Sequence, residues 1–191
     1  AELQNDCSSL FKISPSDTLK IVQELYEKKL VTYPRTDARV LSTAVAKEIY
    51  KNISGLKRYT PMAAYADEVL NMGSYKTIAK TKYVNDKQIT DHYAIIPTGQ
   101  GMGALRGLSE IAANVYEIIC RRFLSIFYPA AEYQKLSMTL AKQDEFLFAN
   151  FKYMLKEGYL KVATNRFARK KDDTKYSPEF IETIGHLKKG D

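Results

Sequence analysis

The chain has 191 residues, of which 45% are hydrophobic and 27% are charged, a composition typical of folded proteins and unlike that of disordered ones. No apolar stretch reaches the roughly 18 residues that a bilayer span requires, and no signal peptide opens the sequence, so we expect a soluble cytoplasmic protein without a membrane partner. The 29 Lys and Arg residues outnumber the 22 Asp and Glu residues, and the net charge of +7 favours an anionic partner such as nucleic acid.

The first predicted helix begins after Ser14. This residue provides a hydroxyl N-cap, Pro15 occupies the first helical position and Asp17 places an acid in the first turn. Apolar side chains recur at helical spacing and predict a buried stripe: Leu19, Val22, Leu25 and Tyr26. Gln23 and Glu27 lie one turn apart on the flank of that stripe.

A short strand is predicted over residues 30–33, which are rich in β-branched side chains. Pro34 cannot donate a backbone hydrogen bond, so strand pairing should end there with Tyr33 in an extended conformation. Residues i and i+2 of a strand project to the same side, which predicts that Arg35 lies beside Tyr33. A helix from the Ser42 cap to just before Gly55 would leave Tyr33 between two helices, as in winged-helix-like folds.

The remaining elements change from helical to strand periodicity near residue 130. A helix is predicted over residues 62–72, a mobile glycine-rich loop over 99–107 and a long helix after the Ser109 cap. Alternating apolar residues between 136 and 148, with a turn at Gln143–Glu145, predict a β-hairpin. We therefore predict an α+β fold with a helical domain over 1–130, an antiparallel segment over 131–165 and a charged tail over 166–191. The tail contains a loose run of charges from Arg166 to Asp173.

The cysteine content and the ends of the chain add two expectations. Cys7 and Cys120 form no CxxC pair, so we expect free or buried thiols and predict neither a zinc site nor a disulfide framework. The sequence starts at Ala1 without a methionine, which suggests a piece of a longer protein.

The segment Thr32–Asp37 places a phenol next to a cation. A tyrosine hydroxyl is largely protonated at neutral pH, so a nucleophilic Tyr33 needs a base or a strong positive potential. Arg35 stays charged, and its guanidinium can donate two hydrogen bonds to a phosphate. These two residue types therefore predict attack on a phosphodiester with formation of a covalent intermediate.

This segment, together with Asp91–Thr98, carries a family resemblance. Residues 32–37 resemble the active-site tyrosine motif of type IA DNA topoisomerases, and the sequence DHYAIIPT at 91–98 resembles their histidine motif in the topoisomerase III branch. Gln23–Glu27 precedes the tyrosine at the spacing of the family, and Leu3-Gln4 also matches. The chain is thereby similar to a central fragment of a bacterial topoisomerase III-like protein. By this resemblance, residues 131–165 would belong to the arch-shaped gate domain, and the tail over 166–191 would lead back toward the body of the enzyme.

The resemblance implies a role for each matching residue. Tyr33 would be the nucleophile, Arg35 would stabilise the phosphate in the transition state, and His92 would contact the backbone phosphate of bound single-stranded DNA. Gln23 and Glu27 would help to form the pocket. Further contributions to DNA binding are expected from phosphate contacts and from loop-shaping hydrogen bonds, at Lys29, Arg39, Thr32, Thr36 and Asp37; the last of these could also orient Arg35.

The resemblance also implies partners and cofactors that this chain does not supply. In the family, the tyrosine cuts one strand through a transient 5′-phosphotyrosyl bond, another strand passes, and resealing needs no ATP because one phosphodiester replaces another. Mg²⁺ and an assisting lysine come from a Toprim domain outside residues 1–191. No metal ligands are therefore expected here, and the isolated fragment is expected to be inactive without the Toprim domain of its parent chain.

Two other classes of protein stay open from the residues alone. A non-catalytic winged-helix-like DNA-binding module would explain the positive charge, but it assigns no purpose to Tyr33 or His92. Tyrosine recombinases and relaxases also form phosphotyrosyl bonds, yet relaxases need a histidine metal cluster and recombinases a dispersed Arg and His set. The chain has only two histidines, His92 and His186, and neither pattern.

Overall fold

The computed structural model describes residues 1–142, 144–167 and 176–187, which divide into two compact units. The first unit consists of Ala1–Tyr128 together with the segment that begins at Val162. The second consists of Pro129–Lys161 together with a C-terminal helix. Helices dominate the first unit and the sheet lies in the second, which confirms the predicted α+β class.

Five α-helices form the frame of the first unit: α1 (Glu2–Phe11), α2 (Pro15–Glu27), α3 (Thr43–Leu56), α4 (Thr60–Met72) and α5 (Glu110–Ser125). Three 3₁₀ helices connect them, at Ser74–Lys80, Asp86–Gln88 and Met102–Gly107. The predicted serine caps are confirmed, because Ser14, Ser42 and Ser109 each accept a hydrogen bond from the backbone N–H three residues on, at 3.0, 3.1 and 3.2 Å. Each cap satisfies one of the unpaired donors of a first helical turn.

The core of the first unit lies where α2, α3, α4 and α5 present their apolar sides. Val22 and Leu25 are buried as predicted, but the prediction for Tyr26 is wrong because 39% of this residue is exposed. Tyr26 lies at the edge of the stripe, where its ring contacts another aromatic residue. Cys7 and Cys120 are buried free thiols, as expected.

Two predicted features of the front half differ from the structure. Residues 30–33 do not form a strand; a single antiparallel bridge joins Val31 to Pro97. Helix α3 continues through Gly55 to Leu56, because this glycine lies where a second backbone packs against the helix.

The second unit is built on a β-hairpin, as predicted. Strand β1 (Glu132–Lys142) pairs with β2 (Glu145–Lys156) in antiparallel register. Gln143 of the predicted turn lies outside the described residues. An aromatic cluster joins the hairpin to helix α7 (Pro178–Gly185), since Phe151 contacts the rings of Tyr176 and Phe180 at 5.2 and 5.6 Å.

The predicted charged tail contains more structure than the sequence indicated. Helix α6 (Leu160–Ala163) is followed by Arg166, whose guanidinium lies 3.3 Å from the buried Glu117 carboxylate. Ser177 caps α7 by accepting from the Phe180 N–H. The rest of the charge run that was predicted to be loose, from Arg169 to Asp173, lies outside the described residues.

No helix in the described part of the chain combines the length and the apolar character that a membrane span requires.

Candidate active site

The two sequence motifs meet through backbone hydrogen bonds. Thr32 N–H donates to the Ile96 carbonyl at 3.0 Å, and Thr98 N–H donates to the Leu30 carbonyl at 3.0 Å. Just beyond, Ala94 N–H donates to the Val40 carbonyl at 2.9 Å. The segment that carries Tyr33 is therefore held on both sides by the segment that carries the histidine.

Two threonine hydroxyls reinforce this pairing. The Thr32 hydroxyl accepts from Ile96 N–H at 3.0 Å and lies 3.4 Å from the Ala94 carbonyl as a donor. The Thr36 hydroxyl donates to the His92 carbonyl at 2.9 Å and accepts from Ala38 N–H at 3.1 Å. Both hydroxyls hold the two segments together, which is the loop-shaping use that their residue type predicts.

The ring of Tyr33 contacts two other aromatic rings. Its centroid is 4.3 Å from that of His92, with the ring planes tilted by 38°. The ring of Tyr26 makes an edge contact with the Tyr33 ring, with the centroids 5.5 Å apart and the planes at 86°. Such contacts restrict the orientation of a ring, and here they leave Tyr33 half-buried while His92 is exposed. The motif tyrosine and the motif histidine are thus direct neighbours.

Arg35 lies in an irregular segment of the backbone. Residues 35–39 have no regular secondary structure, so the strand geometry that was expected to set Arg35 beside Tyr33 is absent. Arg35 is exposed and lines a hollow of about 220 Å³ with Leu3, Val22 and Ile95. Its guanidinium makes no hydrogen bond or ion pair within the described residues, which leaves all its donors free for an anion.

Of the other side chains that were predicted to contact DNA, some have a partner within the protein and others are exposed. Arg39 is committed to an ion pair with Glu2 at 2.8 Å, and Gln23 donates to the Glu27 carboxylate at 3.1 Å. Lys29 and Asp37 are exposed side chains. Lys29 follows the C-cap residue of α2 and has a left-handed conformation at φ 61°. Asp37 makes no ion pair with Arg35.

The glycine-rich segment after the histidine motif is packed, contrary to the mobile loop that was predicted. A Cβ added to Gly55 would lie 2.1 Å from the carbonyl oxygen of Gly99, so the backbones of α3 and this segment are in direct contact. Asn52 donates to the Pro97 carbonyl at 2.8 Å, and Arg58 donates to the Gly99 carbonyl at 2.9 Å. Long-range contacts of this kind have no local signal in the sequence.

Three residues of this site were not among the predicted site residues: Tyr26, Asn52 and Arg58. Tyr26 is part of the Gln23–Glu27 match and could have been recognised from it. Asn52 and Arg58 support the histidine segment from α3 and the turn after it, and no motif identifies them. Next to His92, burial raises the pKa of Tyr93, which makes that phenol a poor nucleophile.

The described residues do not fit a magnesium site. No group of three or more His, Cys, Asp or Glu side chains that could hold a metal ion occurs within 1–142, 144–167 and 176–187. We therefore derive no chemical step through a metal bound to this chain.

Comparisons with known proteins agree with the geometry. A family profile described as DNA topoisomerase matches residues 1–191. The chain is 34% identical over 194 residues to DNA topoisomerase 3 of Bacillus cereus, 34% over 193 to that of Bacillus subtilis and 36% over 191 to that of Bacillus licheniformis. Each alignment covers 100% of this chain and 25% of the relative, so the chain spans a quarter of the length of these proteins. The chain belongs to the DNA topoisomerase family, as its two motifs predicted.

Proposed function

We propose that this chain is the tyrosine-bearing part of a type IA DNA topoisomerase and that Tyr33 is the nucleophile that cuts one DNA strand. The observation that carries the proposal is the ring contact between Tyr33 and His92 at 4.3 Å. It brings together the two residues that the motifs single out, although they are far apart in the sequence. A non-catalytic DNA-binding module would not require this contact.

The proposed step exchanges one phosphodiester for another. The Tyr33 hydroxyl loses its proton and attacks phosphorus, and the bond from phosphorus to the 3′ oxygen of the preceding nucleotide breaks. The strand then ends in a 5′-phosphotyrosyl bond on one side and, once the leaving oxygen takes up a proton, a free 3′-hydroxyl on the other. Because the reverse reaction restores the backbone, resealing needs no ATP.

The neighbouring side chains have roles that follow from their chemistry. Arg35 has all its donors free and can bind the phosphate oxygens on which negative charge increases. His92 is exposed beside the Tyr33 ring, where an imidazole can contact a backbone phosphate. Lys29 can position the strand through phosphate contacts without reading bases. Gln23 and Glu27 contribute a polar pair one helical turn from the aromatic contacts.

The rest of the active site belongs to the parent protein in this proposal. A Toprim domain of the same parent supplies the Mg²⁺ site, single-stranded DNA is the substrate, and the reaction takes place in the bacterial cytoplasm. The isolated chain is then expected to show little or no relaxation of negatively supercoiled DNA with Mg²⁺. Robust relaxation by residues 1–191 alone would contradict this division of the site.

The test uses the full-length parent and a single-stranded oligonucleotide labelled at its 3′ end. After incubation with Mg²⁺ and denaturation, the label should migrate with the protein, because the fragment with the 5′-phosphate stays on the tyrosine. Tyr33→Phe should abolish the adduct. Tyr26→Phe is the matched control, since it removes a hydroxyl from the adjacent ring, and it should retain the adduct.

Two results would overturn the assignment of Tyr33. One is an undiminished adduct in the Tyr33→Phe parent. The other is transfer of a 5′-end label to the protein, which would indicate a 3′-phosphotyrosyl bond and another enzyme class.

A further inference from the structure

The strands of the hairpin present two faces of different chemistry. The register pairs Leu136 with Phe151 and Leu140 with Leu147, and side chains alternate between the faces along each strand. One face, here called the apolar face, carries six apolar side chains: Leu136, Met138, Leu140, Leu147, Ala149 and Phe151. Phe151 of this face packs against Tyr176 and Phe180, so α7 contacts the hairpin on the apolar face.

The opposite face, here called the lysine face, is exposed over most of its length. Its main side chains are Tyr133, Lys135, Phe146, Phe148, Asn150 and Lys152. Lys135 and Lys152 are paired across the strands, and the paired positions from Tyr133 to Ala141 on this face include no Asp or Glu. The lysine face therefore has a positive potential that no carboxylate within its register offsets.

Two phenylalanines on the lysine face are unusual for a polar surface. Phe146 and Phe148 are 57% and 74% exposed, and they stand two residues apart on one strand. Packing against α7 does not account for them, because α7 contacts the hairpin through Phe151 of the other face. Large apolar groups exposed among cations are complementary to a ligand that has both apolar and anionic parts.

We propose that the lysine face binds single-stranded DNA, with unpaired bases stacked on Phe146 and Phe148 and backbone phosphates bound by Lys135 and Lys152. Aromatic side chains interleaved with lysines on an open sheet match the two surfaces of a single strand, its flat bases and its charged backbone. This site goes beyond the proposed cleavage function and does not depend on Tyr33.

Two details of the lysine face fit such a ligand. The ammonium of Lys152 lies 3.6 Å from the centre of the Tyr133 ring, a cation–π contact that holds the lysine at the surface. Ser137 donates to the side-chain oxygen of Asn150 at 2.8 Å. The amide nitrogen of Asn150 has no partner within the described residues, so it can donate to a base or a phosphate.

The first test measures fluorescence anisotropy of a labelled oligo(dT) with the 191-residue chain. Phe148→Ala should raise Kd about fivefold or more, because base stacking on one aromatic ring contributes roughly a fivefold to hundredfold change in affinity. Leu147→Ala is the matched control: it is 70% exposed and adjacent, but it lies on the apolar face, and its Kd should be unchanged. Equal losses in the two variants would overturn the proposal, as would no loss in Phe148→Ala.

A second measurement locates the contact directly. Oligonucleotides with 5-iodouracil, irradiated in complex with the chain and digested with trypsin, should crosslink to the peptide of residues 143–152. Sequencing of the crosslinked peptide by mass spectrometry should place the adduct on Phe146 or Phe148 and not on Phe151 of the apolar face. Crosslinks confined to other peptides would refute the site even if the chain binds DNA elsewhere.

Two further measurements distinguish a single strand from duplex DNA and from a second protein chain as the ligand of this face. Duplex DNA of the same length should bind more weakly than the single strand, since stacked base pairs cannot cover the phenylalanines. Equal binding would overturn the proposal, because it would indicate that the lysines bind DNA through charge alone. Analytical ultracentrifugation should give the same mass for the wild type and Phe148→Ala. A mass that falls in the variant would overturn the proposal too, because it would assign these residues to contact between protein chains.

Discussion

The hydroxyl of Thr36 donates a 2.9 Å hydrogen bond to the backbone carbonyl of His92, so one side chain of the tyrosine motif holds the main chain of the histidine motif. The same hydroxyl accepts from Ala38 N–H. Thr36 thereby fixes two backbones at once, next to the ring contact between Tyr33 and His92.

Thr36→Val should weaken this junction. Loss of the hydroxyl removes both hydrogen bonds, and we expect the free energy of unfolding to fall by about 1 to 2 kcal/mol in urea titrations of the 191-residue chain. In the parent, the rate of covalent adduct formation should fall as well, because His92 is no longer tied to the loop. Thr36→Ser keeps the hydroxyl and should retain both properties; a loss as large as that of the valine variant would argue against this role of the hydrogen bonds.

Arg35→Lys should impair cleavage more than binding. Lysine keeps the charge but lacks the planar fork that can donate two hydrogen bonds to a phosphate in the transition state. We expect adduct formation by the parent to slow by about 100-fold, the scale seen when a transition-state donor is lost. Binding of single-stranded DNA, measured by anisotropy, should change less than about threefold, since one phosphate charge is still neutralised.

Arg39→Lys is the control for this experiment. Arg39 lies in the same loop but its guanidinium is paired with Glu2 at 2.8 Å on an exposed surface. Its replacement should leave the adduct rate nearly unchanged. Parallel losses of cleavage and binding in Arg35→Lys would instead indicate that Arg35 serves binding alone.

Gly55→Ala should disturb the segment that carries His92 where it packs against α3. The added Cβ would lie 2.1 Å from the Gly99 carbonyl oxygen. Because the clash is with a backbone atom, rotation of a side chain cannot relieve it. We expect a loss of stability of about 2 kcal/mol or more, together with slower adduct formation in the parent. Gly103→Ala is the matched control, because no atom lies within 4 Å of its added Cβ, and its stability should be maintained.

We predict that Asp86 makes the stability of the fold depend on pH in the acid range. Hydrogen bonds from the Thr43 hydroxyl and then from the Thr43 N–H lower the pKa of Asp86 below its ordinary value of 3.8. A carboxylate with a lowered folded-state pKa contributes stability that is fully present above the unfolded-state value and is lost as the pH falls through the folded-state pKa. The slope of stability against pH below about 4 should therefore flatten in Asp86→Asn.

A carboxyl NMR titration checks the cause of this shift. Thr43→Ala should move the Asp86 titration upward toward 3.8, whereas Thr43→Ser should leave it low. An Asp86 signal that titrates at its ordinary value in the wild type would contradict the hydrogen-bond assignment.

Local signals in the sequence predicted much of this fold. Serine caps located α2, α3 and α5, and period-two alternation located the hairpin, because caps and side-chain periodicity are properties of short segments. Helix α7 has the same Ser-Pro start as α2, so a local signal for it is present in the sequence although no helix was predicted there. The features that could not be predicted depend on distant partners: the single bridge of Val31 with Pro97, the packing of Gly99 on Gly55 and the ion pair of Arg166 with Glu117.

The candidate site shows the same division. The motifs identified Tyr33 and His92, and the structure places their rings in contact. The relation of Arg35 to Tyr33 was predicted from strand geometry that residues 35–39 do not have. Thr32 and Thr36 hold the backbone of the segment that carries His92. This role depends on which segment lies opposite the loop, and no local sequence pattern contains that information.

The two residues joined by the bridge, Val31 and Pro97, are added to the chain at different times during protein synthesis. Tyr33 leaves the ribosome well before the residues that position it. At translation rates of about 5 to 20 residues per second, Tyr33 is added on the order of 3 to 13 seconds before Pro97. A nascent chain released or stalled in that interval contains Tyr33 without the segment that holds it. Under the proposed role of Tyr33, such premature products should be unable to cut DNA.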